Sequence, residues 1–165
     1  MKSENQPILL VEDEENDVFL IKYAFEMAEV SNPIQVVIDG QQAIDYLSGA
    51  GQYADRNAFP FPCLLLLDLK LPVRIGYDVL RWIQNQPHLQ SLITIVLTSS
   101  DDIQDIDESY RLGARSFLVK PVSVDKRLEM ARAIKAYWLE LNQFSKIREP
   151  AAGVSVAPEV HSAKK

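Results

Sequence analysis

Four places in the chain put polar residues directly behind an apolar run. Glu12-Asp13 follow Ile8–Val11, Asp68 follows Leu64–Leu67, Thr98-Ser99-Ser100 follow the run at 93–97, and Lys120-Pro121 follow the run at 117–119. If these runs are strands of one parallel sheet, ligands bind beyond their carboxyl ends, and three carboxylates, a hydroxyl and an ammonium converge there. Carboxylates brought that close repel one another, and at least one is driven to protonate unless a cation lies among them. Oxygen ligands with no histidine or thiolate nearby favour a hard divalent ion, Mg²⁺, which keeps several waters and uses one or two carboxylates together with a phosphate oxygen. The set reads as suited to phosphoryl chemistry. Asp68 is then the nucleophile that becomes an acyl phosphate. Lys120 neutralises charge on the phosphoryl oxygens, and the Thr98 hydroxyl donates to one of them.

Positioning these groups requires a particular alternation. Five apolar runs, at Ile8–Val11, 34–38, Leu64–Leu67, 93–97 and 117–119, are separated by helix-like stretches at about 16–29, 41–47, 76–85, 102–112 and 123–144. Strand and helix alternating five times is the pattern of an α/β parallel sheet. The unbroken Leu64-Leu65-Leu66-Leu67 suits a strand covered on both faces, so it belongs at the centre. Gly113 sits where the fourth helix needs a left-handed cap. The segment 48–62 holds two glycines and two prolines and reads as a long surface loop. The expected organisation is a short extension over 1–6, one domain over 7–145 and a flexible tail over 146–165.

Composition narrows the function classes. With 47% hydrophobic and 24% charged residues in 165, the chain has one globular domain's worth of core. A net charge of -6 is a poor match for DNA or an anionic membrane surface, so neither is an expected partner. The single Cys63 cannot form an internal disulfide, and the amino terminus has no long apolar segment, so the cytoplasm is the expected location.

The sequence resembles the receiver domain of two-component response regulators, a doubly wound flavodoxin-like fold. The resemblance rests on ILLVEDE with Glu12-Asp13, LLLLDLKLPVRIG with Asp68, Pro72 and Gly76, IVLTSS with Thr98, and GARSFLVKP with Gly113, Phe117 and Lys120-Pro121, over about Pro7 to Phe144. It implies a five-stranded sheet of order 2-1-3-4-5 and an Asp68 that accepts phosphate from the phosphohistidine of a sensor histidine kinase. It also implies Mg²⁺ held by Asp13, Asp68 and the backbone carbonyl of Lys70, with Glu12 acting mainly through water, and a cis Lys120-Pro121 bond that aims Lys120 into the pocket. Thr98 and Phe117 then act as the switch, moving the face made by the fourth helix, fifth strand and fifth helix. DLKLP, the TSS triplet, the long loop before the central strand and the extended last helix are similar to small response regulators that serve phytochrome kinases. On this reading the chain is no enzyme beyond its own phosphorylation and dephosphorylation.

Each residue alone has a plainer explanation. Glu12 opens an acidic run at a helix start, where the helix dipole favours negative charge, and Phe117 in a strand is ordinarily core. The coincidence of four strand ends outweighs those readings. His88 and His161 have no spacing that supports a zinc or acid-base site, and Trp82 reads as cover for the core edge. Lys70 borders the path of attacking water, so its bulk and charge are expected to alter the lifetime of the phosphoryl group. The last helix offers an inward stripe of Val124, Leu128, Ala131, Ile134, Trp138 and Leu141. A second set, Met130, Ala133, Tyr137 and Phe144, is a candidate homodimer contact. Two other classes stay open: a Mg²⁺-dependent aspartyl phosphohydrolase, against which Lys70 stands where such enzymes place a second acid, and a docking module that is never phosphorylated.

Overall fold

The computed structural model describes residues 6–145, so the expected tail and nearly all of the amino-terminal extension lie outside the described residues. Strands β1 (Ile8–Val11), β2 (Ile34–Val37), β3 (Leu64–Leu67), β4 (Ile93–Thr98) and β5 (Ser116–Val119) alternate with helices α1 (Glu15–Met27), α2 (Gly40–Ser48), α3 (Gly76–Gln84), α4 (Ile103–Arg111) and α5 (Val124–Ile134). All strand pairs are parallel, in the order β2-β1-β3-β4-β5, with Leu10 level with Leu66 and Leu66 level with Ile95. The direction in which successive strands are added reverses between β1 and β3, the point at which an open α/β sheet leaves a crevice beyond its carboxyl ends.

The leucine run of β3 explains why it is central. Leu65 and Leu67 join one core with Val79 and Leu80 of α3, while Leu64 and Leu66 join the other with Phe25 of α1 and Ile134 of α5. Side chains alternate across a strand, so only a strand covered on both sides keeps four leucines in a row dry. Each buried leucine contributes about 1.5–3 kcal/mol relative to exposure. Local signals set the helix ends: Asp39, Asp102 and Ser123 each accept a hydrogen bond from a backbone N–H of the following first turn, and Gly113 takes φ 97 behind α4. Gly76 has no room for a side chain, because a Cβ there would collide with the Asp68 carbonyl oxygen. That approach packs the start of α3 directly against the end of β3.

Three expectations need correction. The last helix is α-helical only to Ile134 and continues as a wider π-helical segment, Lys135–Leu141. The change of period turns Leu141 outward, to 72% exposure, and Val124 in the first turn is also exposed, so neither belongs to the inward stripe. The segment 48–62 is a packed cover as well as a loop. Tyr53 is buried in it, its ring 5.1 Å from those of Tyr46 and Phe59, and the Arg56 guanidinium donates to the Tyr46 and Leu47 carbonyls at the end of α2 (2.7 and 3.0 Å). Its aromatic residues bury area that its glycines and prolines conceal from a composition-based reading. The Lys120-Pro121 bond is trans, not cis, since the described residues contain no cis peptide bond. Lys120 reaches the crevice because its N–H donates to the Thr98 carbonyl at 2.7 Å, extending the β4–β5 ladder to the lysine. Among the described residues no helix is long and apolar enough to cross a membrane.

Candidate functional site: an acidic cup around a buried lysine

The structure brings Glu12, Asp13, Asp68 and Lys120 together at the carboxyl edge. β1 delivers Glu12 and Asp13, β3 delivers Asp68, and β5 delivers Lys120 across the end of β4. One carboxylate oxygen from each of Glu12, Asp13 and Asp68 lies within 4.8 Å of the others, a spacing suited to a hard cation. Glu12 and Asp68 are 1% and 5% exposed, whereas Asp13 is exposed and forms the open lip. Lys120 Nζ lies 2.5 Å from Glu12 Oε2, 2.7 Å from Asp68 Oδ2 and 2.9 Å from Asp17 Oδ2. The backbone N–H of Lys70 donates to Asp68 Oδ1 at 3.1 Å, so both oxygens of Asp68 are oriented.

The electrostatics follow from this crowding. Burial pushes the Glu12 carboxyl above its ordinary range, opposed by hydrogen bonds from Lys120 and the Glu14 N–H. Burial also acts to lower the Lys120 pKa, but hydrogen bonds to Asp68, Glu12 and Asp17 outweigh it and hold the ammonium protonated well above its ordinary range. For Asp17 the upward push of burial is overcome by Lys120 and Arg127, so its carboxyl lies below the ordinary range. Four carboxylates (Glu12, Asp13, Asp17, Asp68) share two cations (Lys120, Arg127), which leaves two negative charges for a divalent ion to balance.

Thr98 is fully buried at the end of β4, beside Asp68 on the adjacent strand, and its Oγ1 has no hydrogen-bond partner. An orphaned buried hydroxyl costs about 1–3 kcal/mol, and it is a donor ready for an incoming oxygen. Phe117 and Pro121 are half-buried and lie outside the cup. Both line an apolar groove of about 580 Å³ between β5 and α5, together with Met130, Ala133, Tyr137 and Trp138. The Lys70 side chain is exposed and lies near enough to Asp105 to help hold that carboxyl low, after the hydrogen bonds it accepts from Ser100 and Tyr77.

Sequence reasoning does not find Asp17 or Arg127. Asp17 is concealed in the acidic start of α1, and Arg127, 7% exposed, donates to its Oδ1 at 3.0 Å. The available signal is a charged residue at position 127, four and seven residues before Ala131 and Ile134, on the inward arc of α5.

The geometry has close relatives. The response regulator Rcp1 of Synechocystis sp. is 33% identical over 143 residues, 85% of this chain and 95% of that protein. The crystal structure of the phosphorylated cyanobacterial phytochrome response regulator RcpA superposes with a TM-score of 0.79 at 32% identity, covering 86% of this chain and 99% of its own. The Mn(2+)-bound form of Rcp1 gives a TM-score of 0.76 at 31% identity, with the same coverage. The family model for the response regulator receiver domain matches residues 8–132. That span opens on β1 and closes within α5, taking in every strand that feeds the cup, and the chain belongs to the response regulator receiver family.

Proposed function

We propose that the chain is the phosphoacceptor of a two-component phosphorelay and that it signals by protein binding. A carboxylate oxygen of Asp68 attacks the phosphorus of a phosphohistidine on a sensor kinase; the P–N bond breaks, and the imidazole nitrogen keeps the electron pair. The observation that carries this reading is the pairing of Lys120 with Asp68 at 2.7 Å at the same sheet edge where β4, the strand between them, ends in the partnerless hydroxyl of Thr98. Lys120 stabilises the charge that develops on the transferring oxygens, and Thr98 donates to one of them once the acyl phosphate exists. Glu12, Asp13, Asp68 and the backbone carbonyl of Lys70 are the residues that would hold Mg²⁺. When bound, the ion supplies positive charge that offsets the carboxylates and the phosphoryl oxygens.

Exposed apolar residues after Lys120 and on α1 favour a protein as donor. Val122, in the loop after Lys120, is 98% exposed, and Phe19 and Tyr23 stack on the outside of α1. The likeness to RcpA, a phytochrome response regulator, makes a phytochrome the candidate kinase. The output face is α4, β5 and α5, where Phe117 and Pro121 link the cup to the groove, and a second copy of the chain is its proposed occupant. Exposed Asp101, Asp102 and Asp107 gather around α4, and α5 exposes Arg132 beside Lys126, which is paired with Glu129, so a two-fold contact can set one copy's α4 against Arg132 of the other's α5. Sedimentation showing only monomer, with and without phosphorylation, would argue against that dimer.

Incubation with Mg²⁺ and acetyl phosphate tests the central reading. A labile adduct that maps to Asp68 and is absent from Asp68→Asn supports it. Sustained turnover of phosphomonoesters would mark a phosphohydrolase instead, and no reaction would mark a docking module. Lys70→Ala tests the expected influence on phosphoryl lifetime, and an unchanged dephosphorylation rate would remove that role.

A further inference from the structure

Lys120 has a third partner that the proposed phosphotransfer does not use. An ammonium has three N–H donors, and here they face Glu12, Asp68 and Asp17, so no donor is left for another oxygen. A phosphoryl group on Asp68 brings new oxygens to the same ammonium, and one existing partner must give way. Glu12 meets the ammonium through Oε2, with its other oxygen, Oε1, held by the Glu14 N–H, and Asp68 is the acceptor itself. Asp17 has an alternative. Its Oδ1 already accepts from Arg127 Nη2 at 3.0 Å, and the buried Nε and Nη1 of Arg127 have no hydrogen-bond partner. An Asp17 carboxylate released from Lys120 can turn its second oxygen to the guanidinium and form the paired fork that arginine and carboxylate favour. Arg127 stands near the start of α5, and α5 packs on α1, which carries Asp17.

We propose that Asp17 is a positioning residue that exchanges Lys120 for a second bond to Arg127 when Asp68 is phosphorylated, and so carries the state of the cup to helix α5. The inference rests on Asp68 being the phosphoacceptor. It differs from a route through Thr98 and Phe117, because it enters α5 from the α1 side of the sheet, behind the groove.

Hydrogen–deuterium exchange over residues 124–131 of the full chain, with and without acetyl phosphate and Mg²⁺, tests it, with intact mass recording the adduct. In the wild type, exchange across this segment is expected to slow severalfold as the adduct forms. Asp17→Asn and Arg127→Lys, neither of which can make the fork, are expected to take the phosphoryl group and lose that slowing. Each protein is compared with itself, so a uniform loss of stability does not imitate the effect, and Arg127→Lys suffices should Asp17→Asn fail to fold. Slowing in the variants equal to wild type overturns the inference, as does a folded variant that takes no phosphoryl group, which would place Asp17 in the reaction. A wild type that carries the adduct with unchanged exchange overturns this inference alone. A wild type that takes no adduct overturns the phosphoacceptor reading as well.

Discussion

Thr94 and Thr98 lie on the same strand and the same face, both buried, and the hydroxyl of each has no hydrogen-bond partner. Their surroundings differ. Thr94, at the amino edge, opens on a hollow of about 310 Å³ whose wall includes Leu80, Ile83, Leu89 and Leu112, with Gln90 and Arg115 at the rim. Thr98 ends β4 at the carboxyl edge, between the strands that deliver Asp68 and the buried ammonium of Lys120. An orphaned hydroxyl costs the fold a similar amount in either place, so the cost alone does not mark a site. What distinguishes Thr98 is that its neighbours create demand for an incoming anion and its counter-ion.

The difference can be broken at its charged end first. Lys120→Met removes the cation around which the cup is built, and we expect the rate of phosphorylation by acetyl phosphate to fall by about 10²–10³, the usual consequence of removing one preorganised donor to a developing negative charge. Intact mass spectrometry over time measures it. A rate within twofold of wild type would mean that the charge of Lys120 is not used. Next comes the threonine pair. Thr98→Val should slow adduct formation or shorten adduct life about tenfold, whereas Thr94→Val, nearly isosteric, should leave both unchanged and raise stability by about 1–3 kcal/mol in denaturant titration, the cost of the orphaned hydroxyl it removes. Equal effects at the two positions would erase the distinction.

How much of this is legible in the sequence depends on whether neighbours in the chain or neighbours in space set a feature. Strands announce themselves because four consecutive leucines can stay dry only in a doubly covered sheet, and the residues after each strand fall at the edge wherever the strands pair. That logic locates Glu12, Asp13, Asp68, Thr98 and Lys120 without coordinates. It does not reach Asp17 and Arg127, whose partnership spans most of the chain and depends on how α1 packs against α5. It also misses the packed aromatics of 46–59 and the outward turn of Leu141, because the first needs tertiary contact and the second a change of helical period. The Lys120-Pro121 isomer is likewise invisible to residue type.

A smaller test probes strain at the carboxyl edge. Val73, in the loop between Asp68 and α3, holds φ at 62°, a region that costs a β-branched residue about 1–2 kcal/mol. Its side chain is 80% exposed, so little packing offsets the cost. Val73→Gly should raise stability by about 1 kcal/mol, less the added freedom of glycine in the unfolded chain. A lower midpoint in urea would show that the valine has compensating contacts.

The smallest effect separates the edges by pH. At the carboxyl edge, α3 and α4 are tied by Tyr77, whose hydroxyl donates to Asp105, which also accepts from Ser100. At the amino edge the same helices and loops are tied by Gln84 to the Arg111 carbonyl (3.3 Å) and Arg115 to the Gln90 carbonyl (3.1 Å), whose acceptors do not titrate. The hydrogen bonds from Ser100 and Tyr77 hold the Asp105 carboxyl below its ordinary 3.8, so its contribution to stability is present above that value and is lost as pH falls through the lower folded value. Burial and the Asp105 hydrogen bond raise the Tyr77 phenol above its ordinary 10.0, so its contribution is present below pH 10.0 and is lost as pH rises through the higher folded value. Tyr77→Phe should therefore cost about 1 kcal/mol near neutrality, the bond being partly open to solvent, and the gap to wild type should close toward both extremes. Gln84→Ala should shift the melting curve by the same amount at every pH. A Tyr77→Phe gap that stays constant from acid to alkali would place this tie in the same class as those of the amino edge.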